Sequence, residues 1–340
     1  MGAFFSSQKG YKSEEDQFER HFRENTCARA DINEYDVLAE LDRATRHCEN
    51  FFKVEHRKSK KQFQLKVYAK CMMYDRWWQR RAVEEKRIAW ALKHPRFVQL
   101  LFSSQDANNL YLFYEYPTYG AFSSIADRTF DESTLRVIAA QIVLALVHLH
   151  GKHVIHRQVC ADSIYVFANG FLKLGDLTLA KYSTSFPHTR TMLQFQPFLA
   201  PEIFRPDGYG REIDFWALGI FLFKIAYRAS PFASDGKESD AETMKRLIID
   251  GNVTWPSETK AEDPPRKFIA GLLLKEPDHR IGGRYQNAKD QEWFKNLEWT
   301  RIRDEGIDFQ FKMEPEAMKP MGKCELPDRP ADKITHFHGF

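Results

Sequence analysis

The spacing of hydrophobic positions along this chain changes several times, and each change marks an element. From Asp36 to Met73 the spacing is two. Phe63, Leu65 and Val67 face one way while Gln62, Gln64 and Lys66 face the other, as in a half-buried strand. A helix is predicted from about Arg76 to Leu92, and a further strand from Leu110 to Tyr116. From Asp131 to His150 the spacing turns helical, with Leu135, Ile138, Ala139, Ile142, Leu146 and Leu149 on one stripe. Two short apolar strands follow, Ile164 to Val166 and Leu172 to Leu174, joined by a turn at Asn169-Gly170. Asp214 to Tyr227 is apolar nearly all round, which predicts a buried helix. At the start, Ser13-Glu14-Glu15 opens a helix that carries Phe18 and Phe22 on one face. From about Trp299 to Phe340 the chain is dotted with proline and has little regular periodicity.

Composition narrows the class. The 340 residues are 43% hydrophobic and 29% charged, as in an ordinary globular protein. The formal net charge is +3 with scattered basic residues, which argues against nucleic acid as a partner. Five cysteines (Cys27, Cys48, Cys71, Cys160, Cys324) are widely spread with no C-x-x-C pair, so neither a disulfide framework nor a zinc site is expected, and a reducing cytoplasmic compartment fits. No apolar run is expected to span a bilayer, and no signal peptide is expected. Met1-Gly2-Ala3-Phe4-Phe5-Ser6 matches the N-myristoylation pattern, so acylation of Gly2 would add peripheral membrane contact.

The chemistry concentrates between His153 and Lys181. His156-Arg157-Gln158 is followed five positions later by Ser163, and the second strand of the hairpin ends at Asp176. This stretch resembles the catalytic loop and metal loop of protein kinases, H-R-D-x-x-x-x-N and D-F-G. Gln158 stands where the family has its catalytic Asp, and Ser163 where it has an Asn that holds Mg²⁺. Cys160 replaces a Lys, and Leu177-Thr178 replace Phe-Gly, while Asp176 is retained. Phe63-Gln64-Leu65-Lys66 resembles the small-lobe strand whose Lys clamps nucleotide phosphates, and Glu85 matches its ion-pair partner. Counting back places the Gly-rich phosphate loop at Ala44 to Phe51, which contains no Gly, and Glu49 would bring negative charge there. Ala200-Pro201-Glu202 matches the A-P-E that closes an activation segment, and Arg280 matches the partner of Glu202.

The resemblance covers nearly the whole chain and is closest to the AGC group, in particular to the catalytic subunits of cAMP-dependent protein kinase. It implies an α+β, bilobal kinase-like fold with a small β-rich lobe and a large helical one. Residues 1–35 would form an N-terminal helix and linker, 36–297 the kinase-like domain (small lobe 36–116, large lobe 117–297), and 298–340 an AGC-type tail that seats Phe337 and Phe340 in the small lobe. Asp214 would hold the backbone of the His156-Arg157 turn. The resemblance also implies ATP and Mg²⁺ as ligands, with Asp176 and Ser163 at the metal positions. The nucleotide pocket would be formed by Phe51, Gln64, Lys66, Glu115, Pro117 and Tyr165. Pro117 has no N–H to offer the adenine ring, and Phe51, Gln64 and Tyr165 are larger or more polar than the family's adenine contacts, so binding is expected to be weak or absent. Thr191 lies at the activating phosphothreonine position, with Arg157, Lys181 and Arg81 as the matching cations. Gln194-Phe195 replace a Gly-Thr whose Thr bonds the catalytic Asp.

These residues set one reading against two others. Gln158 cannot take a substrate proton, so the chain reads as a pseudokinase that works by binding other signalling proteins. The alternative is a weak or unconventional Ser/Thr kinase, supported by Lys66, Glu85 and Asp176. A third reading is a membrane-proximal module that depends on Gly2. Of the acidic groups that select arginine-rich partners in the family, Asp162 is retained, Ala121 replaces one and Lys224 reverses another, which argues against binding a kinase regulatory subunit.

Overall fold

The computed structural model describes residues 17–41, 49–73, 76–183, 189–191, 193, 196–232, 240–304, 326–327 and 340. Within these it divides into two units. The small unit takes residues up to Tyr119, the turn Leu177–Ala180, and the chain from Lys312 on. The large unit takes Gly120–Asp176 and Lys181–Phe311.

The small unit begins with α1 (17–24), which buries Phe18 and Phe22 in a stacked pair. Its body is an antiparallel sheet of β1 (Tyr35–Glu40), β2 (Glu49–His56), β3 (Gln62–Ala69), β4 (Leu100–Gln105) and β5 (Asn109–Glu115) in the order β1-β2-β3-β5-β4. Register gives this sheet two different faces. Phe52, Val54, Phe63, Leu65, Val67, Tyr111 and Phe113 form one apolar cluster with Tyr35. Phe51 lies opposite Lys66, Glu49 opposite Tyr68, and Gln64 opposite Tyr114, so these residues share the other face. Helix α2 (Arg76–Ala91) buries Glu85 among apolar Ala82, Ile88 and Ala89. Leu326 packs on the apolar cluster, and Pro327 accepts a 2.7 Å bond from Asn109 Nδ2. Phe340 is 8% exposed, with the Lys86 ammonium 5.2 Å from its ring centre.

The large unit is built on α3 (Glu132–Gly151), capped by the Asp131 carboxylate on Thr134 N–H. By length and composition α3 could cross a membrane, which corrects the expectation that no apolar run is long enough. Its residues from Leu135 to His150 are nonetheless mostly buried, as in a soluble core helix. Strand β6 (Val154–Ile155) and the hairpin of β7 (Ile164–Val166) with β8 (Leu172–Leu174) pack near it. The hairpin turn is a short 3₁₀ segment, Ala168–Gly170, with Gly170 in the left-handed region at φ 71°. Strand β9 (Lys181–Tyr182) pairs with β6.

Helix α4 (Glu212–Tyr227) is buried nearly all round, as its composition predicts. A Cβ at Gly219 would lie 2.8 Å from Leu273 and 2.9 Å from Leu272, so glycine permits the close approach of α4 to the end of α6 (Pro264–Leu272). Helix α5 (Ala241–Asp250) lies between them in sequence. The segment from Trp299 does not start as irregular chain. It opens with α7 (Trp299–Asp304), which buries Ile302 and packs on α3.

Candidate functional site

The polar face of the small-unit sheet converges on Lys66. Its ammonium lies 2.9 Å from Glu85 Oε2, 3.1 Å from Glu85 Oε1 and 2.9 Å from Glu49 Oε2, and it also donates to Thr178 Oγ1. Thr178 Oγ1 in turn lies 3.3 Å from Glu49 Oε2. Tyr68 and Tyr114 both donate their hydroxyls to Glu85, the latter at 3.0 Å. Lys66 is fully buried, and Glu85 (1%) and Glu49 (4%) nearly so. Burial holds the Tyr68 phenol well above its ordinary pKa, and the two carboxylates add to this, so Tyr68 remains a donor. The cluster thus holds one cation against two carboxylates, all three buried.

In the large unit a second polar group surrounds the turn after β6. Asp214 is fully buried and accepts from His156 N–H at 2.8 Å, Arg157 N–H at 2.8 Å and His150 Nε2 at 2.7 Å. Burial alone would raise the Asp214 carboxyl, but the bond and charge of His150 and the contacts of His156 leave it below its ordinary value. His156 donates from Nε2 to Gly175 O at 2.9 Å and accepts Gln158 N–H at Nδ1 at 3.3 Å. That arrangement suits a neutral ring, and burial does lower its pKa. Arg157 and Asp176 both hold left-handed backbone, at φ 66° and φ 52°.

Gln158 is 1% exposed. Its amide Nε2 donates to Asp176 Oδ2 at 2.8 Å, while its Oε1 is buried without a hydrogen-bond partner among the described residues. Ser163 spends its hydroxyl within its own loop, donating to Cys160 O and accepting Cys160 N–H, both at 3.0 Å.

Comparison with known proteins places this arrangement. The model of the protein kinase domain matches residues 49–294. The chain belongs to the protein kinase family. Curated relatives include "Protein kinase 2" of Dictyostelium discoideum, 27% identical over 80% of this chain and 57% of that protein. "Serine/threonine-protein kinase akt-1" of Caenorhabditis elegans is 26% identical over 86% of this chain and 56% of that protein. "cAMP-dependent protein kinase catalytic subunit" of Dictyostelium discoideum is 32% identical over 65% of this chain and 34% of that protein. These relatives are AGC kinases, and the matches span little more than half of their length, or less.

Within the kinase frame, the predicted site residues fall as follows. Lys66 and Glu85 are paired, and Asp214 holds both N–H groups of the His156-Arg157 turn. Glu202 and Arg280 form a bidentate pair at 2.5 and 3.0 Å, fully buried on the arginine side. Glu115 ends β5 and accepts Gln99 N–H at 2.8 Å, and Pro117, two residues on, is buried. Phe51 (6%) and Gln64 (3%) are buried on the small unit's polar face, and Tyr165 (2%) bridges Ala121 in the large unit. Asp162 and Lys224 are exposed.

Of the cations assigned to Thr191, Lys181 reaches it, at 3.2 Å, and also bonds Thr189 at 2.6 Å. Arg157 instead donates to the Tyr209 hydroxyl at 3.2 Å, and Tyr209 donates to Thr191 O at 2.6 Å. Arg81 belongs to the small unit, where it donates to Ala180 O at 3.1 Å and pairs with Glu84 at 3.3 Å. Gly2, most of the loop Ala44 to Phe51, Gln194-Phe195 and Phe337 lie outside the described residues.

Sequence reasoning missed Tyr68, Tyr114, Thr178 and Tyr209, and it read Glu49 only as a repulsive charge. A signal was present for the first two and for Glu49. Period-two alternation from Lys66 and Phe51 puts Tyr68 and Glu49 on the face of Lys66, and pairing of β5 with β3 adds Tyr114.

Proposed function

We propose that this AGC-type Ser/Thr kinase-like chain is catalytically impaired and works by binding other signalling proteins. The observation that carries the reading is Gln158. It occupies the position of the catalytic base, has no titratable group, and gives its amide N–H to Asp176, the residue at the family's metal position. Members of the family bind ATP and Mg²⁺, but the residues here do not fit that pair. The Ser163 hydroxyl is engaged by its own loop, Asp176 already accepts a hydrogen bond, and Pro117 lacks the N–H that would meet adenine. Losing a general base costs roughly 10²–10⁴ in rate, and losing metal and phosphate contacts removes the positioning on which phosphoryl transfer depends.

The partners in this reading are proteins, not nucleic acid. Ala121 and exposed Lys224 disfavour arginine-rich partners such as a kinase regulatory subunit. The setting is cytoplasmic, with membrane contact if Gly2 is acylated. A second reading, a weak Ser/Thr kinase, is favoured by the Lys66–Glu85 pair. One experiment separates them. Purified protein is assayed for phosphate transfer from ATP to arginine-rich and other Ser/Thr peptides, and for thermal stabilisation by millimolar ATP with Mg²⁺, Mn²⁺ or EDTA. The impaired reading expects neither transfer nor stabilisation. Transfer abolished by Asp176→Ala establishes the weak kinase instead.

A further inference from the structure

The Lys66 cluster contains more negative charge than an ion pair needs. Lys66 and Glu85 already satisfy one another, with Tyr68 and Tyr114 donating to the same carboxylate. Glu49 adds a second anion, 2.9 Å from the ammonium and 4% exposed. It is the first residue of β2 and lies within the stretch, Ala44 to Phe51, that matches the family's phosphate loop. Its carboxylate is also supported by Thr178, whose hydroxyl lies 3.3 Å away and itself accepts from Lys66. Buried carboxylates are placed like this only when donors hold them. The resemblance assigns the ammonium of Lys66 to nucleotide phosphates, and in this chain the position of that anion on Lys66 is taken by a side chain.

We propose that Glu49 is an internal anion that occupies Lys66 in place of a polyphosphate, and that removing its charge turns the small-unit cluster into a polyphosphate-binding site. This rests on the impaired reading above and explains part of it. The ligand is the triphosphate group, carried by ATP or free. With Glu49 in place, an arriving phosphate meets a net negative cluster. With a neutral residue there, it meets an ammonium and the Thr178 hydroxyl.

The test measures binding of sodium tripolyphosphate, ATP in EDTA, and adenosine by calorimetry. It uses the parent chain, Glu49→Gln, Glu49→Asp, and Glu49→Gln combined with Lys66→Met. Tripolyphosphate needs no adenine contact, so Pro117 does not enter its result. The proposal expects tripolyphosphate affinity to rise about tenfold or more in Glu49→Gln, as for removal of one like charge a few ångströms from a bound anion. The gain should be smaller in Glu49→Asp and absent once Lys66 is also changed, with adenosine unaffected. A gain shared by ATP identifies a nucleotide as a competent carrier; a gain for tripolyphosphate alone leaves the free anion. Folded Glu49→Gln that binds tripolyphosphate no better than the parent overturns the proposal. So does a gain that survives loss of Lys66.

If Glu49→Gln does not fold, the parent chain still decides. An acylating polyphosphate probe should leave Lys66 unlabelled while it labels Lys58, whose side chain is 84% exposed. Equal labelling refutes the lock. The two readings fail differently: a parent that binds and transfers from ATP defeats the impaired reading, whereas an inert parent with an unchanged Glu49→Gln defeats only the lock.

Discussion

On the impaired reading, Gln158→Asp should destabilise the protein and should not bring phosphate transfer. The Gln158 amide donates to Asp176 Oδ2 at 2.8 Å, with Gln158 1% exposed. Aspartate exchanges that donor for a second carboxylate. Its side chain is one methylene shorter, so the two carboxylates would settle about 4 Å apart, where like charges repel by about 4 kcal/mol at an effective dielectric of about 20. The lost charge-assisted bond adds about 1.5–3 kcal/mol. Protonation sets a ceiling: keeping one carboxyl neutral at pH 7.5 against a reference pKa near 3.9 costs about 5 kcal/mol. The net expectation is therefore set by that ceiling, about 5 kcal/mol, a fall of about 7 °C in Tm for a chain of this length. The assay is thermal unfolding in EDTA at pH 7.5 and pH 5. One carboxyl of the new pair has a raised folded-state pKa, so the deficit is full above that pKa and shrinks as pH falls through it. A Tm within about 1 °C of the parent at pH 7.5 would refute the reasoning, as would a deficit that grows toward acid. Phosphate transfer by Gln158→Asp, absent from the parent, would show that Gln158 alone limits activity, because Ser163 and Pro117 are unchanged in that variant.

Three further outcomes are expected. Glu85→Gln removes the charged acceptor of Lys66, Tyr68 and Tyr114 and should lower stability by about 2–3 kcal/mol in thermal unfolding, with Tyr68→Phe lowering it less. Arg280→Lys keeps the charge but loses the fork that meets both oxygens of Glu202 and the carbonyls of Leu274 and Glu212, and should cost about 2–4 kcal/mol. Acidification should weaken the large unit from about pH 6.5 downward. The folded-state pKa of buried His156 is depressed, so its contribution is complete above its unfolded pKa and erodes below it. The depressed Asp214 carboxyl adds a second loss at lower pH, and Tm measured against pH in parent and His156→Asn checks the first.

Much of the fold was legible because it rests on period and caps. The stripe from Leu135 to Leu149 and the all-apolar run of α4 each identify a buried helix whatever surrounds it. Asp131 marks the start of α3 by its capping chemistry. The start of α7 was not legible, since Trp299–Asp304 is too short to show a period, and Ile302 is its single buried residue. At the site, Lys66 and Glu85 could be matched by spacing. Alternation put Glu49 on the face of Lys66, but its ion pair could not be read, because that depends on the register that sets Glu49 against Tyr68 and Phe51 against Lys66, and on Thr178, more than a hundred residues away in sequence. The same holds for Arg157, whose guanidinium donates to the Tyr209 hydroxyl.

This arrangement changes what the customary lysine substitution reports. Where a buried lysine waits for a nucleotide, replacing it removes a ligand contact. In this chain Lys66 is the cation between Glu49 and Glu85, at 2.9 Å from each. Lys66→Met leaves two buried carboxylates facing one another, with Tyr68, Tyr114 and Thr178 as hydrogen-bond donors among the described residues. Breaking a buried pair from one side costs about 3–5 kcal/mol, and here two pairs share the lysine. Lys66→Met should therefore lower Tm markedly, while Lys66→Met combined with Glu49→Gln, which leaves a single carboxylate with two tyrosine donors, should recover part of the loss. Recovery in the double variant is the signature of charge, because it adds no packing that the single variant lacks. If both melt alike, the lost lysine acts through its alkyl packing, and the electrostatic account of the cluster is wrong.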